Sequence, residues 1–122
     1  MLFAAAPGVI EHVRTNKLRA LAITGAARLQ AMPNIPTAGE FIPDFEASLW
    51  LGLAAPANTP KNLIETLNRD INAALMDDKI KARLSDLGGV PMPLTTDQFG
   101  KLINDETEKW AKVIKFAGIK PE

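Results

Sequence analysis

The second half of the chain repeats apolar residues at intervals of three and four. This spacing is typical of helices that bury one face, and it predicts helices over residues 60–76, 77–88 and 95–118, followed by a tail at 119–122. Thr59 is predicted to cap the first of these helices, with Pro60 at its first position, Asp77 the second and Thr95 the third. The stripe of the first helix is formed by Leu63, Leu67, Ile71 and Leu75.

The first half has short apolar runs of strand length, at residues 1–5, 18–24 and 46–53. Pro7 suits the first turn of a helix that follows the first run, and Asn16 suits the left-handed turn that ends it. A strand, a helix and a strand in this order predict a βαβ unit with parallel strands and a right-handed crossover.

Prolines mark the connections between these elements. Residues 28–43 hold three prolines, which predicts a long extended loop. Thr37 and Glu40 have the spacing of a capping box, so a single helical turn is expected over residues 38–41. Residues 90–94 contain two more prolines, which predicts an edge strand or merely extended backbone.

Composition excludes several classes of function. The 122 residues carry 14 basic and 14 acidic side chains, so the formal net charge is zero. A nucleic-acid partner or a polybasic membrane patch is therefore not expected. There is no cysteine, which excludes disulfides and thiol chemistry. No signal peptide is visible in residues 1–8, which read as a strand entering a helix, so we expect the chain to begin within a fold.

Candidate catalytic residues are few. His12 is the only histidine, and it has no partner at a spacing that suits a metal ion or a general base. Ser48 and Ser85 lie outside any nucleophile elbow. Trp50 and Trp110 could stack on a ligand, but packing in a core is the more ordinary use of tryptophan. The residues therefore predict no enzyme, no metal site and no cofactor.

One stretch indicates binding. Residues 4–8 are small and run into the start of a helix, where ligands can approach the backbone and free N–H groups favour a carboxylate or phosphate. In parallel sheets such turns lie at the ligand-binding edge. An ordinary connection between strand and helix is the alternative interpretation. The candidate residues are Ala4, Ala5, Ala6, Pro7 and Gly8.

The order of several motifs resembles a known family. The motifs are EHVRTNKLRALAITGAAR at Glu11–Arg28, QAMPNIPTAGE at Gln30–Glu40, FEASLWLGLAAPANTP at Phe45–Pro60, WAKVI at Trp110–Ile114 and AGIK at Ala117–Lys120. In this order they resemble the C-terminal part of the solute receptors of tripartite tricarboxylate transporters, also called Bug receptors. The resemblance spans essentially the whole chain.

The resemblance implies an α/β fold in which the chain is a fragment of a two-lobed periplasmic-binding-protein-like receptor, with short, mostly parallel strands and covering helices. Residues 1–47 would belong to the second lobe, 48–60 would form a hinge strand and turn, and 61–122 would be the helical part of the first lobe. Phe3 joins the candidate binding residues because 3–7 would match a segment that faces the ligand cleft. The family also implies a periplasmic location.

Two functions follow from the resemblance. The first is a receptor, or a truncated form of one, that captures small organic anions such as carboxylates and delivers them to a membrane permease. The alternative is a non-transport interaction protein or an oligomer-forming remnant of such a receptor. Helices that cover an absent sheet expose apolar stripes, so a homo-oligomer or a domain swap is also expected.

Overall fold

The structure, a computed structural model, describes residues 1–120. Helices account for most of its regular structure, and within the described residues the one β contact is an isolated parallel bridge between Ile23 and Thr37. The predicted tail 119–122 lies partly outside the described residues. The elements in chain order are α1 (Ala6–Arg14), a 3-10 turn (Ala38–Glu40), α2 (Lys61–Met76), α3 (Asp78–Asp86) and α4 (Thr96–Ala117).

Three helix ends form as predicted. The Asp77 carboxylate accepts hydrogen bonds from the backbone N–H groups of residues 79 and 80 at 3.0 and 3.2 Å. Thr95 and Gln98 form the expected capping box, with bonds of 2.9 and 3.2 Å. Gly118 ends α4 with a φ of 66°. Each of these features satisfies backbone groups that a helix end leaves unpaired.

One cap was predicted wrongly. Helix α2 begins at Lys61, and Pro60 occupies the N-cap position instead of the first helical position. Thr59 does not cap the helix, because its hydroxyl donates a hydrogen bond to the Pro56 carbonyl at 2.8 Å. At the end of α1, Asn16 does adopt the predicted left-handed conformation, with a φ of 57°.

The predicted strands are the main correction. Residues 1–5, 18–24 and 46–53 are not strands, so the βαβ unit is not formed within residues 1–120. A strand needs a neighbouring backbone to satisfy its N–H and C=O groups. Here the Thr24 carbonyl accepts one hydrogen bond, from the Ala47 N–H at 2.8 Å, and Ile23 forms the isolated bridge. Its N–H donates to the Pro36 carbonyl at 2.8 Å, and its carbonyl accepts from the Ala38 N–H at 2.7 Å.

A charged pair closes the proline-rich loop. The Arg28 guanidinium binds both carboxylate oxygens of Glu40, at 2.8 and 2.6 Å, and also donates to the Pro33 carbonyl at 3.1 Å. The same carboxylate accepts the Thr37 backbone N–H at 2.8 Å, which confirms the predicted capping interaction. The Arg28 and Thr37 hydrogen bonds lower the pKa of Glu40 to about 2. Both ends of the loop are thereby fixed.

Very little of the chain is buried. Among residues 1–120 the buried hydrophobic side chains are Ile10 and Met32, which are 1% and 9% exposed. The accessible surface is 9929 Å², whereas a compact monomer of this mass exposes roughly 6,400 Å². Apolar side chains on α2, α4 and the connecting segments therefore face solvent. Leu18 and Leu21 of the predicted second strand are among them, at 41% and 60% exposure.

Candidate functional site

The predicted binding residues lie together on the surface at the start of α1. Phe3 is 74% exposed, and Ala6 is the one member of the group that is partly covered. A side chain added at Gly8 would meet no heavy atom within 4 Å, so this side of the helix start is open. The residues of the group are Phe3, Ala4, Ala5, Ala6, Pro7 and Gly8.

The helix start offers fewer donors than the sequence predicts. Ala5 is the N-cap residue and provides no side-chain acceptor. Pro7 has no N–H, and the Gly8 N–H already donates to the Ala5 carbonyl at 3.0 Å. The Ala6 N–H is left for a ligand. The first turn has no acidic residue, so no carboxylate of its own offsets the positive end of the helix dipole.

The residues that follow α3 pack against the start of α1. Gly88 has a φ of 75°, and a Cβ atom placed there would lie 2.7 Å from the Ala6 Cβ. The Leu29 and Ile10 side chains lie just beyond, at 3.4 and 3.6 Å from the same point. Glycine is thus required at position 88 for two reasons, namely its backbone conformation and the close approach of Ala6. The sequence marked it only as the end of a helix.

A second contact joins the same two parts of the chain. The Ser85 hydroxyl lies 3.1 Å from the Gln30 side-chain oxygen, to which it donates a hydrogen bond. Together with the approach of Ala6 to Gly88, it brings the segment 1–47 against the segment 61–120. The assignment of these segments to different lobes stays a prediction.

Both tryptophans contact side chains of α4. The Trp50 ring contacts Phe99 edge to face, with 5.6 Å between ring centroids and 87° between ring planes. The Phe99 ring also covers Gly52 so closely that a Cβ there would collide with it. Trp110 donates its indole N–H to Glu106 at 2.8 Å. The Phe99 contacts hold residues 50–52 against α4, whereas the Trp110 bond lies within α4.

Glu106 is the residue that sequence reasoning missed. It interrupts the apolar stripe of α4, yet its side chain is only 18% exposed. The hydrogen bonds that its carboxylate accepts from the Trp110 indole and from Lys109 lower the pKa of Glu106. A glutamate four residues before a tryptophan on a helix was the available signal.

Other charged groups of α4 lie on its solvated face. Asp105 pairs with Lys101 at 2.5 Å, and Lys109 pairs with Glu106 at 3.2 Å. His12 is exposed on α1. Within residues 1–120, no three histidine, aspartate or glutamate side chains come together as a metal-binding group. None of the helices in that range is long and apolar enough to cross a membrane.

Solved structures identify the class of protein. The fold matches a structure described as "R. palustris Rpa4515 with adipate" with a TM-score of 0.87 and 29% identity, over 96% of this chain and 40% of that one. It also matches the periplasmic binding protein BugD with a TM-score of 0.83 and 26% identity, over 93% of this chain and 39% of that one. The chain therefore has the fold of part of a periplasmic binding protein, as predicted.

Sequence comparison gives the family. Residues 1–119 match the tripartite tricarboxylate transporter family receptor. Protein BugT of Bordetella pertussis is 39% identical over 115 residues, which are 93% of this chain and 35% of that protein. A UPF0065 protein of Agrobacterium vitis is 37% identical over 114 residues, 88% of this chain and 32% of that protein. The chain belongs to this family of transport receptors, which are not enzymes.

The match covers nearly all of this chain but only part of each relative. The chain spans about a third of the length of these two relatives, 35% for BugT and 32% for the protein of Agrobacterium vitis. It spans 40% of the chain in the structure described with adipate. The resemblance read from the motifs, to a part of a Bug receptor, is thereby confirmed.

Proposed function

We propose that this chain is part of an extracytoplasmic receptor of a tripartite tricarboxylate transporter, which captures a small organic anion for delivery to a membrane permease. The observation that carries the proposal is the match to a receptor structure described with adipate, at a TM-score of 0.87 over 96% of this chain. Family membership over residues 1–119 supports it. A dicarboxylate is the ligand class that we favour.

The start of α1 is the proposed point of contact with one carboxylate. Its first turn carries no acidic residue, and free N–H groups at a helix start favour an anion. Small side chains at positions 4–6 let an anion approach the backbone, and Gly8 leaves the neighbouring surface open. Phe3, 74% exposed, supplies an apolar surface for the aliphatic part of a dicarboxylate.

The wider architecture is part of the same proposal. Residues 1–47 belong to the second lobe, 48–60 form the hinge strand and turn, and 61–122 belong to the first lobe. In the complete α/β receptor the segments 18–24 and 48–53 pair as strands with backbone that lies outside this chain. A periplasmic location is supported by the match to BugD, which is described as a periplasmic binding protein.

Two substitutions of Ala5 separate binding from folding. The N-cap position of α1 has no side-chain hydrogen bond, so both Ala5→Asp and Ala5→Asn should stabilise the helix by about 1 kcal/mol. Only aspartate adds a negative charge where the ligand carboxylate would lie. We therefore expect adipate to raise the melting temperature of the wild type and of Ala5→Asn, and to have little effect on Ala5→Asp.

The same comparison should be made with adipate, a shorter dicarboxylate and a tricarboxylate, because chain length is the expected basis of selectivity. Calorimetric titration provides a second readout that does not depend on unfolding. If none of these anions stabilises the wild-type chain, or if Ala5→Asp binds them as well as Ala5→Asn does, the proposed contact is wrong.

The alternative is an interaction protein or an oligomer-forming remnant of a receptor. The accessible surface of 9929 Å² favours it, since much of that surface is apolar side chain. Self-association without any stabilisation by anions would support this alternative against the receptor.

A further inference from the structure

The two sides of the proposed hinge meet at one closely packed point. Three side chains from residues 1–47 surround Gly88, namely those of Ala6, Ile10 and Leu29. A Cβ atom at Gly88 would lie 2.7 Å from the nearest of them and 3.6 Å from the farthest. We refer to these four residues as the Gly88 junction.

The backbone at Gly88 is held by the end of its own helix. Its N–H donates to the Ser85 carbonyl at 2.8 Å, and the Gly89 N–H donates to the Leu84 carbonyl, also at 2.8 Å. With a φ of 75° at Gly88, these bonds form a left-handed turn that commonly ends helices. The junction therefore has a fixed surface on the side of α3.

Separation of the Gly88 junction is unfavourable. Ile10 is 1% exposed, which makes it the most buried residue in the described part of the chain. Moving α1 away from Gly88 would uncover this side chain and lose apolar burial. Rotation meets less resistance, because glycine presents bare backbone without a side chain that α1 would have to pass. The contact thus resists opening and permits turning.

The polar contact between the two segments lies beside the same point. Among residues 1–120, the hydrogen bond between Ser85 and Gln30 joins segment 1–47 to segment 61–120, and neither a backbone hydrogen bond nor a salt bridge does so. Ser85 lies three residues before Gly88 in the sequence. A single side-chain bond close to the junction leaves the angle between the segments free to change.

We propose that the Gly88 junction is a pivot, about which segments 1–47 and 61–120 turn while Ala6 and Gly88 stay in contact. The inference rests on the assignment of these segments to different lobes under the proposed function. Support comes from the receptor structure described with adipate, whose match covers 96% of this chain at a TM-score of 0.87. That match includes both sides of the junction, so the two segments have a similar relative placement in a solved receptor.

A pivot at this place determines which part of the binding cleft moves. When two lobes close by a hinge motion, points near the pivot move least. The proposed anion contact lies at Ala6, within the Gly88 junction. This contact would therefore have the same geometry in the open and closed receptor, and a ligand would bind there before the lobes close.

Pairs of spin labels test the pivot, because the chain has no cysteine of its own. Gly8→Cys combined with Asp86→Cys gives the near pair. Both positions are exposed, and each lies two residues from a member of the Gly88 junction. Electron paramagnetic resonance of the ligand-free chain then reports how widely the distance between the two labels varies.

Lys17→Cys combined with Lys61→Cys gives the far pair. Lys17 lies beyond the end of α1, whose length separates it from Ala6 by about 12 Å or more. Lys61 and Met76 are the two ends of α2, roughly 22 Å apart, and Met76 lines the same cavity as Gly88. Both labels are therefore far from the junction, on opposite segments.

We expect a narrow distribution of distances for the near pair and one about twofold or more broader for the far pair. The matched control is Lys101→Cys combined with Lys115→Cys. Both positions are exposed on α4, about 21 Å apart along one helix. The width measured for this control is the width that the labels themselves add.

Gly88→Ala provides a second measurement. The added methyl group would lie 2.7 Å from the Ala6 Cβ, so the mean distance of the far pair should shift, and adding Ala6→Gly should restore it. Gly118→Ala has the same left-handed strain without a neighbouring atom, and it should leave the distance unchanged. An unchanged distance in Gly88→Ala would contradict the pivot.

The two label pairs separate failure of the pivot from failure of the lobe assignment. A near pair as broad as the far pair would show that the junction opens, which overturns the pivot and leaves the two lobes intact. A far pair as narrow as the α4 control would show one rigid body, which overturns the lobe assignment and the pivot together. Neither result depends on adipate, so anion binding is tested separately.

Discussion

Gly88→Ala is the substitution for which the structure makes the sharpest prediction. The position has a φ of 75°, and the added methyl group would lie 2.7 Å from the Ala6 Cβ. Alanine in the left-handed region costs about 1–2 kcal/mol. Forcing a methyl group into a filled contact costs a further 1–3 kcal/mol or so. We expect a total loss of about 2–5 kcal/mol in the free energy of unfolding.

Two other glycines separate these causes. Gly118 has a φ of 66°, but a Cβ there meets no heavy atom within 4 Å. Gly118→Ala should therefore cost only the conformational part, about 1–2 kcal/mol. Gly8 lies in α1 without a positive φ and without a neighbour, so Gly8→Ala should stabilise the chain by about 0.5–1 kcal/mol. The three variants add the same methyl group in three environments.

Urea unfolding followed by far-UV circular dichroism measures all three. A double-mutant cycle with Ala6→Gly then isolates the contact, because removing the Ala6 methyl group should restore about 1–3 kcal/mol to Gly88→Ala. If Gly88→Ala and Gly118→Ala lose the same stability, or if Ala6→Gly gives no rescue, α1 and the end of α3 do not meet as described.

Other predictions follow from the capping and charged groups. Asp77→Ala should lower the free energy of unfolding by about 1 kcal/mol, and Asp77→Asn, which still caps α3, should restore most of it in the same urea assay. The folded-state pKa of Glu40 is about 2, below the ordinary 4.5. Its contribution to stability is therefore complete above pH 4.5 or so and lost as the pH falls towards 2. Glu40→Gln should flatten that part of the curve of stability against pH, and an unchanged curve would contradict the Arg28–Glu40 pair. Glu106 accepts the Trp110 indole N–H and has a lowered pKa, so the fluorescence of the folded chain should change with pH below about 4.5. Glu106→Gln should abolish this change, and its persistence in that variant would assign it to another group.

Local chemistry explains which features could be read from the sequence. The caps at Asp77 and Thr95 and the turn at Gly118 depend on residues within a few positions of each other, and each is observed. The Thr37–Glu40 interaction was readable for the same reason. Thr59 is the exception. Its hydroxyl donates a hydrogen bond to the nearby Pro56 carbonyl, so it does not cap α2.

The strand predictions failed because the partners that a strand needs are distant in sequence. The apolar run 18–24 has the composition of a buried strand, but within residues 1–120 only Ile23 forms a β bridge. A pattern of apolar residues predicts that a segment can pair, and it does not supply the neighbouring backbone. The family resemblance also implied short, mostly parallel strands, so it shared this error for the described residues.

The candidate site was only partly readable. The sequence placed a helix start at Pro7, but it overestimated the free donors, because the Gly8 N–H is taken by the Ala5 carbonyl. It could not predict that Gly88 supports Ala6, since the two residues meet only in the folded chain. Glu106 was visible as an interruption of an apolar stripe, and its role as acceptor of the Trp110 indole N–H became clear only from the structure.

The loop closed by Arg28 and Glu40 bears on the order in which the chain assembles. Its two ends are 12 residues apart, and its other hydrogen bonds, to the Pro33 carbonyl and from the Thr37 N–H, lie inside it. Loops of about ten residues close within roughly 10–100 ns. The Ser85–Gln30 contact instead joins residues 55 apart. We therefore expect this loop to be an early folding unit, onto which the later helices dock as the chain emerges during synthesis.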